Sequence, residues 1–325
     1  MSSLTSKGQP PPPVRTLFLG SPPFATAVLR QLLASQHEVV GVVTPKSRTQ
    51  RRGLKQEHGP VADLALKHRL PLLQPKGLKS PEALDQLSAL NPEVLVVASY
   101  GEILNQKVLN LAPHGALNVH GSCLPRWRGA APIQAAILAG DEETGVSIQR
   151  MVLALDEGDV MLEKRISLGS QETAGEVLER LAELGGKALV EAVNQLAEGR
   201  AVFTVQDPSK ATMTRKIKKH DGLIDWSLEP VALTRHVRAM SPWPGAMTHL
   251  PDGRSLTVLA LEEASADDAP PGTFLGGPEF LVACGAGTVN LLQVKPAGKG
   301  TMTGRAFLRG AKLLAKNRLG QELAP

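Results

Sequence analysis

The sequence predicts an α/β protein in two parts: a mainly parallel sheet with helices on both faces, followed by a smaller β-barrel. Three observations predict it. Apolar strand segments and helical periodicities alternate from Val14 to Gly199, the rhythm of βαβ units. One of those strands, Val94–Ala98, is apolar at every position, as expected in a parallel sheet covered on both faces. Beyond Arg200 the texture changes to short apolar runs broken by Gly and Pro, the pattern of a small barrel.

Each element has its own signal. Residues 1–13, MSSLTSKGQPPPP, read as a disordered Pro-rich lead, without the apolar stretch of a secretion signal. Val14–Leu19 is a strand that ends in Gly-Ser-Pro-Pro, and Phe24–Ser35 a helix periodic through Phe24, Ala27, Val28 and Leu32. Glu38–Val43 is a second strand and Val61–Lys67 a helix. Ser80-Pro81-Glu82 opens another helix, with an N-cap and then Pro at the first helical position. The strand ending in Asn118 and His120 follows Val94–Ala98, and a helix runs from about Ala131–Pro132 to Leu138. Val146–Val152 and Val160–Ile166 are further strands, read as antiparallel. Thr173-Ala-Gly-Glu176 is a capping box opening a long helix that ends near Gly199. Residues 14–200 are thus expected to form a Rossmann-like domain and 201–220 a basic linker. Residues 221–312, with runs at Leu256–Leu261, Phe280–Cys284 and Thr288–Gln293, are expected to form an OB-like barrel, and 313–325 a tail.

Composition narrows the function. The chain has 325 residues, long enough for two domains, and no apolar run of membrane-spanning length. Its two cysteines, Cys123 and Cys284, form no CxxC and suggest neither a disulfide framework nor a zinc site. The first turn, Gly-Ser-Pro-Pro-Phe, lacks the glycines of GxGxxG, so NAD is not expected, and no GxxxxGK[ST] loop occurs. A monomer acting in the cytoplasm is the expectation. The net charge of +5 is mild, but its distribution is uneven. Lys46, Arg48, Arg51, Arg52 and Lys55 crowd one loop; Lys210, Arg215, Lys216, Lys218 and Lys219 crowd another; Lys295 to Arg318 holds seven basic residues and no acid. Each cluster alone is an ordinary solvated face; together they could line a polyanion-binding surface.

The candidate chemistry lies in ALNVHGSCLPRWRGAAPIQ, residues 116–134. On a strand, Asn118 and His120 share a face while Leu117 and Val119 take the other. An amide and an imidazole delivered together beside a tight loop suit acyl chemistry, where an oxyanion needs donors and a proton must move. Spacing alone leaves this open against an ordinary structural pair. Asp156, in LALDEGDVM, is the third candidate: an acid that would orient the His120 ring, or simply part of a turn. Cys123, three residues beyond His120, allows a Cys–His nucleophilic pair as well as plain packing.

The run NVHGSCLPRWRGAAPIQAAILAGDEETGVSIQRMVLALDEGDVM closely resembles the folate-dependent formyltransferases. FLGSPPFATAVLRQLL and VVASYGEIL resemble that family's first strand, turn and helix, and its central strand with the folate-side loop. KIKKHDGLIDWS, VRAMSPWPGAMT and PAGKGTMTGRAFLRG resemble the second domain of the branch that acts on methionyl initiator tRNA. The likeness runs from about Val14 to Gly310. It implies transfer of a formyl group from 10-formyltetrahydrofolate to the α-amine of the tRNA-borne methionine, with no metal. Asn118, His120 and Asp156 match the family's catalytic Asn, His and Asp. Ser122, Cys123, Leu124 and Pro125 match its folate loop, with Cys where Leu is usual, and Tyr100 falls in the folate-side loop. The resemblance assigns tRNA binding to Arg48, Arg51 and Arg52 in loop Thr44–Pro60, where Ser47 and Arg51 depart from the usual acid and glycine. It also assigns tRNA binding to Arg215, Lys216, Lys218 and Lys219. Family members that formylate an amino sugar or a purine precursor share the Asn-His-Asp core but would not need basic clusters in three places.

Overall fold

The computed structural model describes residues 11–21, 23–45, 58–265 and 269–320. By backbone contacts the chain divides into two units. The first holds residues up to Gly129, Gly145–Ile166 and Leu178–Met213; the second holds Ala130–Thr144, Ser167–Val177 and residues from Thr214 on.

Five strands come before the candidate loop: β1 (Arg15–Gly20), β2 (Glu38–Val43), β3 (Leu72–Leu73), β4 (Val94–Ala98) and β5 (Ala116–His120). Between them lie α1 (Phe24–Leu33), α2 (Pro60–Lys67), α3 (Pro81–Ser88) and α4 (Gln106–Leu109). The two-residue β6 (Arg128–Gly129), α5 (Pro132–Ala139), β7 (Glu143–Arg150), β8 (Val160–Ser167) and α6 (Ala174–Ala197) follow. The sheet order is β3-β2-β1-β4-β5-β7-β8. Strands β1 to β5 pair in parallel, and β7 runs antiparallel to β5. The chain winds outward from β1 to one edge and then crosses to β4 on the other side. Such a reversal opens a crevice at the strands' carboxyl ends, where Gly20 and His120 lie.

The expected elements form for the expected reasons. Leu17, Leu19, Leu95, Val97 and Ala116 are buried in one apolar cluster. Ser80 caps α3 by accepting from the Ala83 amide at 3.2 Å. Thr173 and Glu176 close the predicted box at α6: Glu176 accepts from the Thr173 amide at 2.8 Å, and Thr173 Oγ1 accepts from the Glu176 amide at 3.4 Å.

After β9 (Met213–Thr214) the second unit contains α7 (Pro230–Ala239), β10 (Ala246–His249), β11 (Ser255–Ala264), β12 (Leu281–Cys284), β13 (Gly287–Pro296), β14 (Met302–Thr303) and α8 (Gly304–Gly310). Its sheet runs β10-β11-β13-β12, with β14 also paired to β13. All these pairings are antiparallel. The predicted barrel is therefore a curled half-barrel, with register shifts at Ala260 bending β11. Phe280 anchors it, edge-on to Phe274 and stacked on Phe307.

Candidate active site

Every side chain that converges on Asp156 comes from the first unit. Strand β5 supplies Asn118 and His120, on one face as the strand's period of two requires. Asp156 stands in the turn between β7 and β8 with φ of +54°. Aspartate tolerates that left-handed region better than most residues, and such outliers cluster where surrounding structure enforces them. Gly158, two residues on, could not carry a side chain: a Cβ there would lie 1.7 Å from the Arg150 carbonyl oxygen.

The Asp156 carboxylate gathers the site. Oδ2 accepts from the Gly129 amide at 2.8 Å and lies 3.7 Å from His120 Nδ1. Oδ1 accepts from Gln149 Nε2 at 2.8 Å and, more loosely, from Asn118 Nδ2 at 3.5 Å. The other imidazole nitrogen of His120, Nε2, is 3.0 Å from the Trp127 carbonyl oxygen. His120 is only 6% exposed and the Asp156 side chain 12%, so the pair is shielded from bulk water. The three residues picked from sequence thus meet, from stretches 38 residues apart.

The neighbouring loop is held by Ser122 and by side chains that no sequence motif marks. Ser147 on β7 lies opposite His120. Its hydroxyl donates to the Ser122 carbonyl at 2.8 Å and accepts from the Leu124 amide at 3.0 Å. Ser122 Oγ donates to the Arg126 carbonyl at 2.6 Å. Thr212 accepts from the Trp127 amide at its hydroxyl (2.8 Å) and from the Arg128 amide at its carbonyl (2.8 Å). Gln206 donates to the carbonyls of Asp156 (2.8 Å) and Gly158 (2.6 Å) and accepts from the buried Arg128 guanidinium at 2.9 and 3.1 Å. Arg128 also pairs with Glu157 at 3.2 Å. Gln206 and Thr212 come from the stretch expected to be a linker. The one sequence signal for Ser147 and Gln149 was their alternation with Val146 and Ile148, which marks polar residues on the same face of a strand.

Cys123 packs its sulfur against Gly145 of β7, where an added Cβ would come within 2.6 Å of Sγ and 2.2 Å of the Lys164 carbonyl oxygen. With both ring nitrogens of His120 facing Trp127 and Asp156, this geometry supports packing over a Cys–His pair. Tyr100 is 4% exposed, its ring in the apolar cluster with Leu17 and Val97. Burial, with the nearby Glu102 charge, pushes its phenol well above the ordinary value. Ser21 Oγ donates to its carbonyl at 3.2 Å. Three exposed aliphatic residues, Val152, Leu153 and Leu155, lead into Asp156.

Arg48, Arg51 and Arg52 lie outside the described residues. In the second unit, Arg215 forms a two-pronged pair with Asp221 at 2.8 and 2.5 Å, and Asp221 also accepts from the Lys218 amide at 2.6 Å. Arg215, helped by that amide, holds the Asp221 carboxyl well below the usual carboxylate range. Arg215 therefore shapes the turn, while Lys216, Lys218 and Lys219 stand exposed around it. Among the described residues no His/Cys/Asp/Glu group could hold a metal.

Comparison with known proteins identifies the family. A family model described as formyl transferase matches residues 14–193, and one described as formyl transferase, C-terminal domain, matches residues 216–312. The methionyl-tRNA formyltransferase of Methylococcus capsulatus is 43% identical over 309 residues, covering 94% of this chain and all of that protein. That of Nitrosococcus oceani is 44% identical over 305 residues, covering 93% and 94%. Among solved structures, a sugar 3N-formyl transferase with dTDP and 5-N-formyl-THF matches with a TM-score of 0.63 at 13% identity, covering 88% of this chain and 99% of that one. HypX from Aquifex aeolicus in complex with tetrahydrofolic acid matches with a TM-score of 0.61 at 16% identity, covering 91% of this chain and 47% of that one. These structural likenesses show the fold.

Proposed function

This chain belongs to the formyl transferase family, and we propose that it moves the formyl group of 10-formyltetrahydrofolate to the α-amine of methionyl initiator tRNA, for use in translation initiation. The observation that carries this reading is the meeting of Asn118, His120 and Asp156 at the carboxyl end of β5. The near full-length likeness to methionyl-tRNA formyltransferases selects the acceptor. The same reading has the chain act as a monomer in the cytoplasm.

The residues fit such a co-substrate. The Ser122–Pro125 loop is pinned by Ser147, so its backbone is presented in one shape. The exposed run Val152, Leu153 and Leu155 beside Asp156 offers apolar surface for a flat ring to cover. The folate supplies a formyl carbon activated by its attachment to N10. Asn118 donates to the carbonyl oxygen as it gains charge during attack by the amine. Asp156, with His120 held beside it by the Trp127 carbonyl, takes the proton that the amine loses as its nitrogen bonds to the formyl carbon. That proton goes to N10, whose bond to the carbon breaks. Arg215, Lys216, Lys218 and Lys219, with Arg48, Arg51 and Arg52, are assigned to the tRNA backbone. Formyl-transfer assays with charged initiator and elongator methionine tRNAs and with small amines test the whole reading. Transfer to the initiator species is expected; transfer only to a small amine, or formate release without an acceptor, would overturn it.

A further inference from the structure

The antiparallel register of β5 and β7 places Gln149 directly opposite Asn118. Cross-strand partners share a face of the sheet and lie within reach of one another's targets. Both amides aim at the same atom, Asp156 Oδ1, and they do so unequally: 2.8 Å for Gln149 and 3.5 Å for Asn118. Gln149 is 1% exposed, and its Oε1 is buried with no hydrogen-bond partner. A residue serving packing alone would be better as an unbranched apolar side chain, because a buried amide with one unanswered end is costly. What the glutamine supplies, and a thioether of the same length could not, is one N–H at Oδ1.

We propose that Gln149 is a positioning residue for formyl transfer: by taking the short bond to Asp156 Oδ1 it holds the Asn118 contact with that oxygen to a loose 3.5 Å, so that the Asn118 amide can turn to donate to the developing oxyanion. Without it, the nearest donor to Oδ1 is Asn118 itself. The amide would then turn toward Asp156 and away from the carbonyl, and the loss would be felt in turnover and not in binding. This inference rests on the formyl-transfer reading above.

The test is a double-mutant cycle with Gln149→Met and Asn118→Ala, read by steady-state formyl transfer and by thermal unfolding. Gln149→Met should lower kcat about 10- to 100-fold, as sub-ångström to ångström misplacement of a catalytic group does. It should leave KM for folate and for tRNA within about twofold and keep or raise the melting temperature. In the Asn118→Ala background the same substitution should cost little further, since Gln149 acts through Asn118. A kcat within twofold of the parent, a loss confined to KM, or losses that simply multiply would each overturn the proposal. If the parent chain transfers no formyl group, the underlying reading fails instead, so the two failures are distinguishable.

Discussion

Replacing Gln206 with leucine removes the side chain that joins the carbonyls of the Asp156 turn to the Arg128 guanidinium, while the Arg128–Glu157 ion pair remains. Four hydrogen bonds disappear: two from Nε2 to the carbonyls of Asp156 and Gly158 at 2.8 and 2.6 Å, and two from the Arg128 guanidinium to Oε1 at 3.1 and 2.9 Å. The two neutral bonds contribute about 1 kcal/mol each and the two guanidinium bonds, which share one oxygen and are counted as a single contact, about 1.5–3 kcal/mol, so the gross loss is about 3.5–5 kcal/mol. Leucine at this 8%-exposed position recovers roughly 1 kcal/mol through apolar burial. A net destabilisation of about 2–4 kcal/mol is expected, below the usual stability of a domain. Urea unfolding should show the midpoint fall with an unchanged slope. Turnover should fall about 10- to 100-fold even where the protein is fully folded, because Asp156 loses its backbone anchor. Gln206→Glu separates the two effects: it keeps an acceptor for Arg128 but sets a carboxylate against two carbonyls, so turnover should again fall. Turnover within twofold of the parent in both variants would refute the argument that this tether positions Asp156.

Other outcomes follow from the same geometry. Asn118→Ala or His120→Ala should lower kcat by about 10²- to 10⁴-fold while tRNA affinity, followed by filter binding, stays near the parent value. Arg52→Ala should weaken tRNA use more than folate binding, and should flatten the dependence of log affinity on log salt by about one unit if the arginine meets a phosphate. For Asp221, whose carboxyl is held below its ordinary value of 3.8 by Arg215 and the Lys218 amide, the stabilisation is present above that value and is lost as pH falls toward the depressed folded-state value. The melting-temperature difference between the parent and Asp221→Asn should therefore be flat from pH 5 to 8 and shrink on further acidification.

Much of the fold is legible from local signals. The Ser80 and Thr173 caps, the apolar Val94–Ala98 strand and the alternation around Asn118 and His120 each rest on a few neighbouring residues, and the structure keeps them. The barrel reading captured the antiparallel strands, which the structure curls into a half-barrel; how far such a sheet curls depends on how its strands meet across the chain and not on any one run. The supporting residues were opaque for a related reason. Ser147 and Gln149 acquire meaning only through a register with β5, and Gln206 and Thr212 only because a stretch without periodicity folds back on the site. Arg215 looked like the other basic residues around it, and only its distance to Asp221 sets it apart.

The path of residues 201–213 bears on how this protein can be dissected. The two family models leave residues 194–215 between them, which invites a cut near Arg200 to obtain a catalytic fragment. Such a fragment would keep Asn118, His120 and Asp156 yet lose Gln206 and Thr212, the hooks that hold the turn and the loop around them. A minimal fragment that keeps these hooks must extend through Met213, and activity lost on an earlier truncation would say nothing about the second unit.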